Sequence, residues 1–313
     1  MRVGVVGLGA IGQRIISQFH EHDQVEVIAI CDRVESLVNE LKEKLGSVKT
    51  YTNYEDLIVD QDVDLVYVAV PPKYHYEVVM KALKNNKHVL CEKPLANSLS
   101  EAKEMMEKAI NAGVVHVMNF PLNYGKAACK FEQLLKSGYI GQLRRLQLTM
   151  QFPEWPRFWQ KNDWVASREQ GGFVLEVGVH FIQQMLKLFG EISNVQAQLQ
   201  FPGDPTKSEN GIIATAELSD GTPVLIEGLS DIPGVEYIGF TAYGTEGAIS
   251  LVNWGELKAA KLGEEFENIS VDDVKPNCLI DELIKAVNDE DAEIYDFQVG
   301  FKAQEILELL RKN

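Results

Sequence analysis

Six residues near the start, Gly7-Leu8-Gly9-Ala10-Ile11-Gly12, constrain this chain more than any others. Alone, G-x-G-x-x-G is a weak pattern. Here it follows a short apolar run, "RVGVV", and opens a stretch of helical period. Asp32 stands 20 residues beyond Gly12, at the end of a second apolar run. Strand, glycine turn, helix and strand-end acid together form the fingerprint of a dinucleotide-binding βαβ unit. Gly7 permits the tight turn, Gly9 lets backbone approach a pyrophosphate, and Gly12 lets the helix pack on the strand. The first helical residues, Ala10 and Ile11, bring unpaired N–H groups and the positive end of the helix dipole toward phosphate. Asp32 would accept from ribose hydroxyls and repel a 2′-phosphate, which favours NAD. Arg33 beside it suits that phosphate, an adenine face or plain solvation, so NADP stays open.

The same alternation runs through residues 1–120. "VEVIAICD", "DLVYVAV", "KHVLCE" and "VVHVMN" read as strands, with helical patterns near 10–20, 34–44, 73–85 and 98–112. Near-continuous apolar strands separated by helices predict a parallel sheet covered on both faces, the doubly wound Rossmann arrangement. Ligands of such sheets bind at the carboxyl ends of the strands. Val70 and Pro71 end one strand there, and His75 then opens a helix, either near the cofactor or as an ordinary polar residue of that helix. Glu92-Lys93-Pro94 ends the next strand. Lys93 is placed to hydrogen-bond a substrate hydroxyl; the plainer alternative is a strand-end charge pair.

After residue 120 the pattern changes. A helix near 123–137 leads to the long strand "LRRLQLTMQF", an aromatic loop and a helix near 169–188. Then come "SNVQAQLQF", "NGIIATAEL", "TPVLIEGL", "YIGFTAYGT" and "GAISLV", separated by turn signals such as Asp220-Gly221. Strands in series with tight turns predict a large, mostly antiparallel open sheet in an α+β domain over 121–313. Helices near 276–288 and 296–312 close the chain, and the last can pack back on the first domain.

Net charge is −16. Nucleic acid and anionic membrane select basic surface, so neither is an expected partner. No stretch approaches a membrane span. The N-terminal apolar run is cut short by Gln13 and Arg14, with no small-residue cleavage site after it. Cys31, Cys91, Cys129 and Cys278 show no CxxC spacing, which fits buried reduced thiols in a cytoplasmic protein. His20 and His22 read as solvated, His88 and His116 as structural.

"GGFVLEVGVH", residues 171–180, places Glu176 and His180 four apart. On a helix they share a face. No third ligand or HExxH pattern declares itself, so no metal is expected. The surrounding residues are apolar, which points the pair into a cleft, with His180 as a catalytic group. Gly178 between them suggests close approach by another body. The preceding loop "FPEWPRFWQKNDW" is rich in tryptophan. Trp155 and Trp159 suit sugar C–H faces and Arg157 suits a carboxylate; packing against another domain or subunit is the alternative.

These motifs, in this order, resemble the Gfo/Idh/MocA oxidoreductases: the N-terminal glycine motif, Glu92-Lys93-Pro94, and Gly171-Gly172 leading to His180. The resemblance covers essentially the whole chain. It implies NAD(P)-dependent oxidation or reduction of sugars, cyclitols and related alcohols or ketones. It also implies a Rossmann domain followed by a domain whose open sheet often joins subunits, hence a homodimer or homotetramer. It places Glu92 near the cofactor and makes Lys93 and His180 the catalytic pair, with Glu176 orienting one of them. His180 would take the hydroxyl proton as hydride leaves, and Lys93 would bond the same oxygen.

The chain departs from the family at four positions. Glu176 replaces the usual Asp, Phe173 a third Gly, and Gln183 an Asp. Asn123 stands before Tyr124 where many members carry Arg. Tyr124 is a further substrate candidate. These departures leave open a rival in which the chain is a non-catalytic dinucleotide sensor. A third reading uses NAD only transiently, as in redox-assisted elimination.

Overall fold

The computed structural model describes residues 1–312. The chain divides into two compact units, 1–119 with 277–304, and 120–276 with 305–313.

The first unit runs β1 (Arg2–Val6), α1 (Ala10–His20), β2 (Glu26–Cys31), α2 (Glu35–Leu45), β3 (Lys49–Tyr51), α3 (Tyr54–Ile58), β4 (Leu65–Val68), α4 (His75–Lys84), β5 (His88–Glu92), α5 (Leu99–Ala112) and β6 (His116–Asn119). Its sheet has the order β3-β2-β1-β4-β5-β6, parallel throughout, with the strand order turning back between β1 and β4. This is the doubly wound sheet the apolar runs predict. Val3, Val5, Leu65, Val66, Tyr67, Val68, Val89 and Leu90 are fully buried. Each such Val or Leu contributes roughly 1.5–3 kcal/mol. The sequence reading overlooked β3 and α3, which are too short to show a period. Lys49 on β3 is tied to Asp60 and Asp62 at 2.8 and 2.7 Å.

The later segment of this unit holds α8 (Leu279–Val287) and most of α9 (Phe297–Arg311). It is bonded to the sheet. The Met118 amide donates to the Tyr295 carbonyl at 2.7 Å, and the Phe297 amide donates to His116 Nδ1 at 3.2 Å. His116 and His88 are structural, His88 Nδ1 accepting from the Val115 amide. His22, expected in solvent, instead lies 2.8 Å from Asp281 on α8.

The second unit runs α6 (Lys126–Lys136), β7 (Leu143–Phe152), a π-helical turn (Val174–Gly178), α7 (Val179–Phe189), β8 (Ile192–Gln200), β9 (Gly211–Leu218), β10 (Pro223–Ser230), β11 (Tyr237–Gly244), β12 (Gly247–Val252), β13 (Glu256–Lys261) and β14 (Glu267–Asn268). The sheet order is β14-β13-β12-β11-β7-β10-β9-β8, antiparallel except where β7 meets β10. β13 and β14 extend it past the last strand read from sequence. One face carries the core: Phe240 on β11 stacks on Phe131 of α6 and packs against Phe181 and Phe189 of α7. The other face is open and mixed. Ile213 and Thr215 on β9 share it with Leu225 and Glu227 on β10.

Two helices start later than their periods suggest. A 3₁₀ turn, Pro121–Tyr124, precedes α6, and the helix bearing His180 is not helical before residue 173. No disulfide joins the described cysteines; Cys31 and Cys91 are buried, but Cys129 is half-buried and Cys278 exposed. Among the described residues no helix is long and apolar enough to cross a membrane.

Candidate active site

In the first unit the glycine turn has the geometry that the fingerprint needs. Gly7 has φ +102°, and a Cβ there would lie 2.5 Å from the Ala69 carbonyl group. A Cβ on Gly12 would lie 2.1 Å from the Gly7 oxygen, so the helix could not pack this close with any side chain. Around Gly9 nothing lies within 4 Å of a Cβ position, and Ala10 is also exposed. The outer side of the turn is therefore open at the helix N-terminus, as a phosphate-bearing ligand requires. Asp32 Oδ2 accepts from the Leu8 amide at 2.8 Å, and its Oδ1 accepts from the Val34 amide at 2.9 Å. Each oxygen keeps further acceptor capacity for a ribose hydroxyl. Arg33 is exposed and lies over the Tyr74 ring at 4.9 Å. The turn, the open N-terminus and Asp32 thus fit a dinucleotide.

His75, left open by the sequence, is fully buried. Its Nε2 lies 2.9 Å from the Val70 carbonyl oxygen, and its Nδ1 lies 2.9 Å from that of Pro94. The ring thus ties the loop after β4 to the loop after β5. Burial holds its pKa below the usual histidine value. As a neutral ring His75 has one N–H and donates it to one of these two carbonyls, while it is packed between both loops.

Glu92 at the end of β5 also proves to be a holding residue. One carboxylate oxygen accepts from Tyr67 Oη on β4 and from Asn119 Nδ2 on β6, both at 2.6 Å. Three adjacent strands are thereby bonded at their carboxyl ends. Burial, then the nearby Glu92 charge, raises the Tyr67 pKa well above its ordinary value. Lys93 follows, half-buried.

In the second unit residues 171–182 are buried without a break. Glu176 is 6% exposed and His180 7%. Gly171 and Gly172 make the entry possible. A Cβ on Gly171 would meet the Val165 carbonyl oxygen at 2.2 Å. Gly172 has φ +100°, and a Cβ there would meet the Glu209 carboxylate at 2.2 Å. Glu209, buried, accepts from the Val174 amide at 2.8 Å and so caps the helix from a distant loop. Burial raises its pKa, opposed by the backbone donors and by Arg311 and Arg168.

Glu176 lies in the π turn, so its register to His180 is not that of a straight α-helix. Such insertions often mark functional sites. Gln160 Nε2 donates to Glu176 Oε2 at 3.4 Å. The His180 ring is crossed edge-on by Phe120 at 6.3 Å and by Trp254 at 5.3 Å.

The aromatic loop gathers around Arg157. Arg157 is 7% exposed, and its guanidinium lies over Phe152, Trp155, Trp159 and Trp254 at 5.1–5.7 Å. The carboxylate it pairs with is the protein's own Glu236. Nε donates to Oε2 at 3.1 Å, and Nη2 lies 3.0 Å from Oε1 without an aligned hydrogen bond. Nη1 donates to Gln160 at 3.3 Å. Arg157 is thus committed within the site wall. Trp155 packs on Phe152 and Phe173, and Trp159 is half in solvent at 53% exposure. Tyr124 is half-buried at the end of its 3₁₀ turn.

Three departures from the family pattern find partners. Asn123 donates to Gln183 and accepts from Gln184, both at 2.8 Å, so two of the departures bond each other. Phe173 is fully buried, and Gly228 opposite leaves the space it fills: a Cβ there would meet the ring at 2.5 Å. Gly178 has only Met150 and Val174 side-chain atoms at 3.9–4.0 Å from a Cβ position, which is ordinary contact, so no part of the protein itself requires glycine there.

Sequence reasoning missed Trp254, Gln160, Glu236 and Glu209. Asn253-Trp254-Gly255, a bulky ring in a strand-to-strand turn, was a signal for the first. Nothing in the sequence marks the other three.

Residues 1–120 match the family profile described as "Oxidoreductase family, NAD-binding Rossmann fold", and residues 129–250 match the "GFO/IDH/MocA C-terminal domain". A Thermotoga maritima myo-inositol 2-dehydrogenase is 33% identical over 191 residues, 61% of this chain and 55% of that protein. An Escherichia coli 2,7-anhydro-N-acetylneuraminate hydratase is 30% identical over 191 residues, 60% of this chain and 50% of that one. The chain thus spans about half the length of these curated relatives. The solved structure of a levoglucosan dehydrogenase with NADH and L-sorbose has the same fold, with TM-score 0.85 at 20% identity over 99% of this chain and 95% of that one. The chain belongs to the Gfo/Idh/MocA oxidoreductase family.

Proposed function

We propose that this protein is an NAD-dependent dehydrogenase or reductase acting on a CH–OH or keto carbon of a sugar, cyclitol or related small molecule. One observation carries the reading: Glu176 and His180 are buried together in an otherwise apolar helix start. Two ionisable groups cost stability in such a place, so their presence argues for chemistry. When bound, the nicotinamide supplies the hydride acceptor or donor. His180 takes the proton from the substrate hydroxyl, or returns it to a ketone. Glu176 is held by Gln160 and orients the imidazole. By the family resemblance, Lys93 donates a hydrogen bond to the reacting oxygen and offsets negative charge there. Asp32 selects NAD through the ribose, with Arg33 the residue to change if NADP is taken.

In the same reading, 1–120 form the cofactor domain, with 277–304 packed back on it, and the rest of the chain after residue 120 forms the substrate-binding and oligomerisation domain of a cytoplasmic homodimer or homotetramer. The open sheet face with Ile213 and Leu229 exposed supports an interface there. The test is NADH formation across cyclitols, aldoses, glycosides and sugar acids, alongside NADH and NADPH fluorescence titrations. Substrate-dependent NADH supports the proposal. Cofactor binding with no hydride exchange in either direction would establish the sensor reading instead. The hydratase relative favours one second reading, transient oxidation followed by elimination; product without net NADH would identify it.

A further inference from the structure

The loop between β12 and β13 holds a residue in the wrong conformation for its type. Val252 pairs with Glu256, which leaves Asn253, Trp254 and Gly255 as the turn. Asn253 has φ 45° and Trp254 φ 71°. Asparagine visits this left-handed region readily; a bulky aromatic is an outlier there. The glycine that would take the position without cost stands one place later, with nothing within 4 Å of its Cβ position. The turn is pinned from outside. The Ile238 amide donates to Asn253 Oδ1, and the Asn253 amide donates to the Ile238 carbonyl, both at 2.9 Å.

What the strained backbone gains is the placement of the indole. The ring lies 5.3 Å from His180 at 85° and 5.3 Å from Phe181 at 39°, and it is only half-buried. The indole is thus within contact range of the His180 imidazole and keeps part of its surface in solvent. Strain maintained beside a reacting group is a sign of function, when the outlier itself is observed. The guanidinium of Arg157, paired with Glu236, also lies over this indole at 5.7 Å, so the surface left to a ligand is the part of the ring that neither Arg157 nor Phe181 covers.

We propose that Trp254 is a specificity-determining residue of the His180 site. Its indole packs on the C–H surface of a neutral ring polyol whose hydroxyl reaches the imidazole. A ring polyol presents several axial C–H bonds on one side; an open-chain polyol presents no such fixed surface and gains less. This rests on the reading of His180 as the proton acceptor.

The test uses Trp254→Gly, which suits φ 71° and removes the ring, and Trp254→Phe, which keeps an aromatic. Binding of myo-inositol and methyl β-glucopyranoside to the NADH-loaded enzyme is measured by saturation-transfer NMR, with open-chain glucitol as control. Trp254→Gly should weaken both ring polyols about tenfold and glucitol by less than about twofold, with Trp254→Phe recovering most of the loss. Its melting temperature is the control for folding, because relief of strain and loss of packing act in opposite directions. Equal ring-polyol binding by wild type and Trp254→Gly overturns the proposal, as does failure of both ring polyols to bind wild type. NADH formation on the same compounds judges the dehydrogenase reading separately. Turnover unchanged in Trp254→Gly sinks only the Trp254 role. Ring-dependent binding without any turnover keeps that role and sinks the dehydrogenase.

Discussion

The two units solve the same problem by opposite routes. Each must hold polar groups at the edge of an apolar core. In the first, the groups that hold come from neighbouring strands: Tyr67, Glu92 and Asn119 sit on β4, β5 and β6, and the cofactor turn lies within six residues. In the second, the helical segment that carries Glu176 and His180, from Val174 to Gln183, is held from five separate places, Phe120, Asn123 with Gln183, Gln160 with Arg157, Glu209 and Trp254. A parallel sheet dictates which side chains meet at its carboxyl end. A helix laid on an antiparallel sheet takes its partners from whichever loops reach it. In the proposed reading, cofactor recognition is therefore local, while substrate recognition is assembled from several loops.

The sharpest way to break that contrast is to charge one partner in the assembled site. Asn123→Arg or Gln183→Asp alone leaves a buried charge unpaired and should cost about 3–5 kcal/mol in urea unfolding. The double variant should recover much of that loss, because the two residues bond directly. Additive losses would show that the pair is not coupled.

Gly172→Ala comes next. It puts a side chain at φ +100° and against the Glu209 carboxylate, and should cost about 1–3 kcal/mol and lower turnover together. Loss of stability with full turnover would separate the cap from the site.

The acids of the two units should respond to pH with opposite sign. Lys49 hydrogen bonds first, with the Asp62 amide and Tyr51 adding to them, lower the Asp60 pKa to about 2. Its contribution is present above the ordinary carboxylate range and is lost as pH falls toward that value. Glu209 is raised by burial, so its contribution is present at acid pH and is lost as pH rises through its folded value. Melting curves across pH should show Asp60→Asn removing part of the acid limb. The advantage of wild type over Glu209→Gln should shrink from acid to neutral pH. A wild-type advantage that grows over that range would contradict the burial argument.

The smallest effect is the most pointed. Gly178→Ala should be neutral or stabilise by up to about 1 kcal/mol, since the space is open and the backbone helical. Marked loss of activity would point instead to close approach by a bound molecule.

The legibility of the sequence follows the same division. Gly7, Gly12 and Asp32 were readable because their constraint is on backbone at fixed spacing, and the apolar runs of β1, β2, β4, β5 and β6 carry their own burial. β3, α3 and β14 were not, being too short for any period. His180 was legible from its motif. For Trp254 the sequence offers only a bulky ring in a turn, because what places it is a φ angle and contacts made 74 positions away along the chain. The same holds for Glu209, whose partner is a backbone amide that any residue at position 174 except proline would offer.

The most direct measurement is His180→Ala against wild type, with NADH affinity by fluorescence and turnover on the substrate found in the screen. The account predicts unchanged NADH affinity, because the dinucleotide turn and Asp32 lie in the other unit, and turnover lower by about 10²–10⁴-fold. Turnover within a few-fold of wild type would contradict the central claim that His180 moves the proton.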